Sequence, residues 1–275
     1  MRRLAAPVGT AARYLALLLA AAVVLLPFGW TLLASFVRRD IDLNNLALPL
    51  DGYWLGHYRD ILTQTYAVRW LVNSILVTLV ILAGNLIFNT MAGYALARIR
   101  FRGSSIALGV IVATMMLPPQ ILFEPIYTMI IRLGWLNSYQ ALIVPFLVNP
   151  FGVFLMRQFF ATLPRDLFDA GRVDGVSEFG LFWRIGLPLV GPGLAALGIF
   201  NFVGNWNAFL WPLIVAKSPS MRTLPVGVAF FSGEAGTAWN LIMASSALAV
   251  IPVLVVFFVF QRQIIEGVVL TGVKG

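Results

Sequence analysis

From Tyr14 to Phe36 the chain carries no charged residue, and no other feature restricts its fold more. A run of that length exceeds the roughly 20 residues that an α-helix needs to cross the hydrocarbon core of a bilayer. It is also longer than the ~7–15-residue apolar core of a cleaved signal peptide. The run therefore predicts a retained first span, preceded by Arg2, Arg3 and Arg13 and kinked at Pro27. Comparable apolar runs follow at Trp70–Ala97, Ser105–Ile131, Ser138–Phe160, Gly191–Val215 and Trp239–Phe260. The predicted fold is all-α, a single polytopic domain over 1–275 with six transmembrane helices.

Composition agrees. The chain is 60% hydrophobic and 11% charged, against about 25% charged in soluble domains. It has no cysteine and one histidine, His57, so disulfides, thiolate catalysis and the usual zinc clusters are unavailable. The net charge of +8 does not point to nucleic acid, because the arginines stand at the ends of apolar runs and not along one face. With six spans both termini share a side, and most of the 19 Lys and Arg residues, Arg98, Arg100 and Arg102 among them, fall on that side. The excess marks it as cytoplasmic.

Several spans are interrupted. Pro118-Pro119 must bend or break the third, which also holds Glu124, the only acidic residue in a predicted span. Pro145 and Asn149-Pro150-Phe151-Gly152 interrupt the fourth, and Pro252 lies in the last. Asn85 and Asn89 share a helical face in the second, where amides can join helices or line a path. Residues 37–69 read as a loop with one amphipathic surface helix, and His57 as a surface or interface histidine.

One segment breaks the apolar pattern. Leu163 to Gly193 holds Asp166, Asp169, Asp174 and Glu178 beside Arg165, Arg172 and Arg184, charges that hydrocarbon would not accept cheaply. It must face water. Pro164 suits a first helical position, Asp166 the anion-favouring first turn, and Asp174-Gly175 a stop. Ser177 can cap a second short helix. Leu167, Ala170 and Gly171 share one face of the first helix, and the small Ala170 and Gly171 permit close approach of another surface. Docking to a partner and packing on the chain's own spans both remain open on this pattern.

Catalytic signatures are missing: there is no His-Glu-x-x-His, no G-x-S-x-G and no P-loop. Gly191, Gly193 and Ala196 fit G-x-G-x-x-A in form only, since no strand precedes them. Active transport by this chain would need an ATPase elsewhere. A secondary transporter or channel is the alternative, but inverted repeats and paired intramembrane charges are not evident.

Asp169-Ala170-Gly171-Arg172-Val173-Asp174-Gly175, followed by Ile185-Gly186-Leu187-Pro188, resembles the Glu-Ala-Ala loop of ABC importer permeases. The resemblance extends to Asn73-Ser74, Tyr94-Ala95-Leu96-Ala97-Arg98, Phe101-Arg102-Gly103, Trp206-Asn207-Ala208-Phe209-Leu210-Trp211-Pro212-Leu213, Gln261-Arg262 and Val273-Lys274-Gly275. It is closest in kind to the carbohydrate-uptake branch, the second permease of maltose-type heterodimers. Asp169, Gly171 and Ala208 depart from the family's usual Glu, Ala and Glu.

The resemblance implies a type I importer permease without catalytic residues, cofactor or metal of its own, ATP and magnesium being held by partner ATPase subunits. It implies a bacterial cytoplasmic membrane, lipid around the spans, a second homologous permease, an extracytoplasmic solute-binding protein and a sugar-like cargo. Residues 163–190 would form the cytoplasmic coupling loop, with Asp169, Ala170, Gly171, Arg172, Asp174 and Gly175 against the ATPase. Asn85, Asn89, Asn201, Asn205, Trp206 and Asn207 would face the path between the permeases. Ser232, Gly233, Glu234, Ala235 and Gly236, in the loop Lys217–Ala238, would meet the binding protein.

Overall fold

The computed structural model describes residues 5–38, 52–233 and 236–272. Apart from an antiparallel hairpin of Ser232–Gly233 with Gly236–Thr237, paired Ser232 to Thr237, the described elements are helices. Among the described residues, four helical stretches are long and apolar enough to cross a membrane: Thr10–Ala34, Ala67–Arg98, Tyr139–Thr162 and Trp239–Gln261. Two further pairs pass as bent spans, Ser104–Met115 with Pro119–Arg132 at 101° and Glu178–Leu189 with Gly191–Trp206 at 79°. The total reaches 6 when each bent pair counts as one span. The break at Pro118-Pro119 follows from chemistry, because proline offers no backbone donor and biases its predecessor away from helix.

The chain gathers into two compact units, 1–68 with 227–251 and 69–226 with 252–275. In the first, helix α1 (Ala5–Ala34) leaves nearly all its described side chains exposed, Leu18, Val23 and Leu26 among them. An apolar helix with so little of its own chain around it needs an apolar surrounding, as a membrane-spanning helix has. Pro27 is carried within α1, where its carbonyl accepts from Thr31 Oγ1 at 2.9 Å. Further along, α2 (Gly56–Gln64) packs against the end of α1: the Ser35 and Tyr58 hydroxyls lie 2.6 Å apart, and the rings of Phe36 and Tyr58 are 5.4 Å apart. His57 is buried, its Nε2 lying 2.9 Å from Val37 O and 3.3 Å from Asn240 Nδ2. His57, read from the sequence as a surface or interface histidine, is thus an interior joint of this unit.

The second unit holds α3 (Ala67–Gly84), a π-helical turn Asn85–Asn89, α4 (Thr90–Arg98), α5 (Ser104–Met115), α6 (Phe123–Arg132), α7 (Tyr139–Ile143) and α8 (Pro150–Thr162). It continues with α9 (Arg165–Val173), α10 (Glu178–Leu181), α11 (Leu187–Leu189), α12 (Gly191–Trp206) and α13 (Leu210–Val215). α4 and α8 pack closely because Gly93 has no side chain: a Cβ there would lie 2.7 Å from Arg157 N and from Met156 Cβ.

Among the described residues, two hydrophobic clusters lie in the interior of this unit. One joins Val77, Ile81, Ile130, Leu142, Trp211 and Val215. The other joins Tyr94, Met156, Phe160, Phe168, Leu181 and Leu197.

Candidate functional site: the polar loop and its anchors

The charged segment folds as helix, turn, helix. Pro164 occupies the N-cap of α9 with extended backbone, one position earlier than expected, and Asp166 and Arg172 occupy the first and last turns with the signs the helix dipole favours. α9 ends where the N–H of Asp174 bonds to Ala170 O at 3.0 Å and that of Val176 to Gly171 O at 2.9 Å. The turn requires φ +78° at Gly175, a left-handed conformation open to glycine. Ser177 then caps α10, its Oγ accepting from Gly180 N at 3.2 Å.

The faces of α9 differ from those expected. Phe168 and Gly171 point inward. Phe168 belongs to the Tyr94 cluster, and a Cβ on Gly171 would lie 2.5 Å from Leu181 Cδ2. The close approach at Gly171 is therefore made by the chain to itself. Ala170, one residue earlier and so about 100° around the helix, is exposed with Leu167 and with Val173, which is 88% exposed. Ala170 and Gly171 do not form one surface. The outer apolar face is Leu167, Ala170 and Val173, at i, i+3 and i+6.

A polar bracket fixes α9 to α10 and to the end of α4. Arg172 Nη1 reaches Asp169 Oδ1 and its Nε reaches Glu178 Oε1, each at 2.7 Å, while Nη2 donates to Arg98 O at 3.3 Å. The hydrogen bond to Glu178, with the charges of both carboxylates, holds the Arg172 pKa above its ordinary value. Glu178 Oε2 also accepts from the Tyr94 hydroxyl at 3.1 Å. Arg98 closes the assembly, donating to Phe160 O and Leu163 O at 2.5 Å each, with its guanidinium 4.5 Å from the Phe168 ring centre. It thereby satisfies carbonyls freed at the end of α8. Tyr94, Arg98 and Glu178 do not stand out as site residues in the sequence, since no local pattern pairs residues so far apart in the chain.

The residues suggested for a path divide in two. Asn85, Asn89, Asn201 and Trp206 are buried in the chain. Asn85 Nδ2 donates to Ile81 O at 2.9 Å and Phe146 O at 2.7 Å, and Asn89 Nδ2 to Asn85 Oδ1 at 2.7 Å. Asn149 joins them: its Nδ2 donates to Asn85 Oδ1 and, at 2.9 Å, to Asn201 Oδ1. Its own Oδ1 caps α8 by accepting from Gly152 N at 2.6 Å. Along each of these segments the amide falls between the two hydrophobic clusters, so the amides act as joints among α3–α4, α8 and α12. Of the other two, Asn205 is half-buried and Asn207 exposed. Asn149-Pro150 is a capping signature that could have identified Asn149 beforehand.

In the second unit, 217–226 is tied to α3. Asn73 Nδ2 donates to Ser220 O and Arg222 O at 2.8 Å each, Ser74 Oγ accepts from Leu224 N at 2.7 Å, and Tyr139 OH donates to Asn73 Oδ1 at 2.6 Å. In the first unit, Ser232, Gly233 and Gly236 form the hairpin, while Glu234 and Ala235 lie outside the described residues.

Residues 89–268 match the family of binding-protein-dependent transport system inner membrane components. The chain belongs to that family. This permease is 40% identical over 206 residues to the arabinooligosaccharides transport system permease protein AraQ of Halalkalibacterium halodurans, covering 75% of this chain and 74% of the relative. It is 32% identical over 223 residues to the sulfoquinovosyl glycerol transport system permease protein SmoH of Agrobacterium fabrum, covering 80% and 78%. It is 35% identical over 201 residues to the sn-glycerol-3-phosphate transport system permease protein UgpE of Yersinia pestis, 72% of each chain.

Among solved structures, the permease is similar to a chain of a bacterial ABC transporter involved in the import of the acidic polysaccharide alginate, with TM-score 0.81, 21% identity and coverage of 95% and 98%. A chain of the MetNI methionine ABC transporter matches with TM-score 0.52 at 19% identity, covering 73% and 95%. At these identities the likeness is one of fold. It supports an all-α ABC importer permease architecture.

Proposed function

We propose that this permease carries a carbohydrate or related polyol across the bacterial cytoplasmic membrane, driven by ATP hydrolysis on partner subunits. The cargo class is supported by the relatives, whose names join them to arabinooligosaccharides, sulfoquinovosyl glycerol and sn-glycerol 3-phosphate. The permease pairs with a second homologous permease and receives cargo from an extracytoplasmic binding protein. Both termini are cytoplasmic, a placement that the distribution of arginines supports. ATP and magnesium are bound by the ATPase. The loop around Ser232–Gly236 meets the binding protein.

The observation that carries this reading is the geometry of α9. Its inner face is locked by Phe168, Gly171 and the Arg172 bracket, while Leu167, Ala170 and Val173 lie bare on the outside. An apolar face held rigidly on a water-side loop suits a mechanical contact, and the ATPase is the partner that must transmit force there. Asp169, Arg172, Asp174 and Gly175 serve this contact by shaping and holding the helix. ATP-driven closure of the ATPase dimer moves the paired α9 helices as levers. The differential contact in the two states couples hydrolysis to opening of the membrane halves.

The test is co-purification. Val173→Asp places a charge on the bare face without touching the inner one, so the permease should fold and insert but lose its ATPase by at least about tenfold, the ~1.4 kcal/mol that a single desolvated charge readily exceeds. Normal ATPase capture and normal coupled uptake by Val173→Asp would overturn the docking assignment.

A further inference from the structure

We infer that this permease itself touches the cargo, through a hydroxyl-binding subsite in a cavity of about 360 Å³ inside the 69–226 unit. The inference rests on the carbohydrate reading above and specifies where in this chain the cargo is held. The volume falls in the ~300–1,000 Å³ range of small-molecule pockets.

Two interruptions between helices border the cavity. Gln120 comes from the break between α5 and α6 and Phe123 from the first turn of α6, and Ala208 and Phe209 from the short connection between α12 and α13. Irregular backbone at membrane depth is stable only when buried in protein or lining a hydrated space, and discontinuous helices are where transport proteins commonly hold polar cargo. Both interruptions meet at the same cavity.

Its chemistry is selective. Thr78 and Thr223 line it, both are buried, and both hydroxyl oxygens lack a hydrogen-bond partner among the described residues. Both oxygens are covered in this conformation, so a ligand hydroxyl recovers the stability that an unpaired buried hydroxyl costs once the threonine turns it toward the cavity. Asn205 donates its amide N–H to Asn201 O at 2.8 Å, which leaves its carbonyl oxygen for another donor. Trp211 commits its indole N–H to Ala141 O at 2.9 Å and so presents the cavity with a ring, steadied by Phe123 at 5.4 Å and Phe146 at 5.8 Å. Among the described residues, no charged side chain lines the space. Aromatic surface, free hydroxyls, amides and no charge fit a neutral polyol, whose C–H face lies on a ring while its hydroxyls reach the edge. They do not fit a phosphate or a carboxylate, which would be desolvated without a counter-charge.

The experiment uses the complete transporter in proteoliposomes with its binding protein, and measures uptake of radiolabelled neutral probes, arabinotriose, maltose and glycerol. Thr78→Val and Thr223→Val remove hydroxyls without a partner among the described residues, so the thermal midpoint should hold or rise. Maximal uptake should fall about 2- to 10-fold per hydroxyl removed, the loss of one hydrogen bond, and Thr78→Ser and Thr223→Ser should restore it.

Unchanged uptake in both Val variants, or a loss matched by a lower thermal midpoint and not rescued by Ser, overturns the subsite while leaving the carbohydrate reading intact. Wild-type transporter that takes up none of the neutral probes overturns the subsite together with the neutral-carbohydrate reading.

Discussion

Glycine chemistry shows how single positions set this fold. At Gly171 the loop turns against itself, and an added methyl would press on Leu181 Cδ2 at 2.5 Å. Alanine there gains roughly 1 kcal/mol in helix propensity and loses about 1–3 kcal/mol to overpacking. Gly171→Ala should therefore be neutral to mildly destabilising, because the pressed atom is the end of a side chain that can move. At Gly93 the same methyl would meet backbone, with Arg157 N at 2.7 Å. Gly93→Ala should fall at the upper end of the ~1–3 kcal/mol range, since relief means parting α4 from α8. The check is thermal unfolding of the two variants in one detergent, with the midpoint of Gly93→Ala clearly the lower. The sequence marked Gly171 as a place of close approach, but it could not say what approaches, because the contact comes from a helix beyond a turn.

Elements are held by polar joints as much as by apolar faces. Asn149 donates to Asn85 and Asn201 and caps α8. Asn149→Ala removes all of these, at about 1–3 kcal/mol for the groups left unpaired, with membrane averages nearer ~0.6 kcal/mol per interhelical bond marking the lower bound. A lowered thermal midpoint with insertion preserved is the expected result. The Arg172 bracket is half-exposed and should contribute only about 1 kcal/mol or less to stability. Its value lies in stiffness. Arg172→Gln should leave the midpoint within a degree or two while α9 becomes more open to limited proteolysis after Arg165. Unchanged cleavage would mean that packing of Phe168 alone holds the helix.

At this scale the spans were legible in outline and one break in detail: apolar length gave the runs, Pro118-Pro119 the bend of 101°, and Ser177 the cap of α10. The run expected as one span over Gly191–Val215, by contrast, stops at Trp206 and forms a 79° bent pair with Glu178–Leu189. The joints were not legible. Tyr94 with Glu178, Arg98 with Leu163, and Asn73 with Arg222 pair residues with no shared periodicity, and only the packed chain brings them together. For the same reason Asn85, Asn89 and Asn201, equally suited by type to a path or to a joint, could be assigned to joints only from their burial.

Taken whole, the permease has apolar spans, a unit knit by the amide joints and two hydrophobic clusters, and a charged loop locked to that unit by Arg98 and Arg172. Force applied to the outer face of α9 has a stiff route into α4 and α8. That is the central claim, and because this chain has no cysteine a single reactive group can be placed on it and labelled before the transporter is assembled. In the complete transporter, Val173→Cys labelled with a short thiol-directed photo-crosslinker should form an adduct with the ATPase subunit on illumination, whereas Leu26→Cys, on the apolar α1, should form none. An assembled, transport-competent complex in which the label at position 173 never reaches the ATPase would contradict the account.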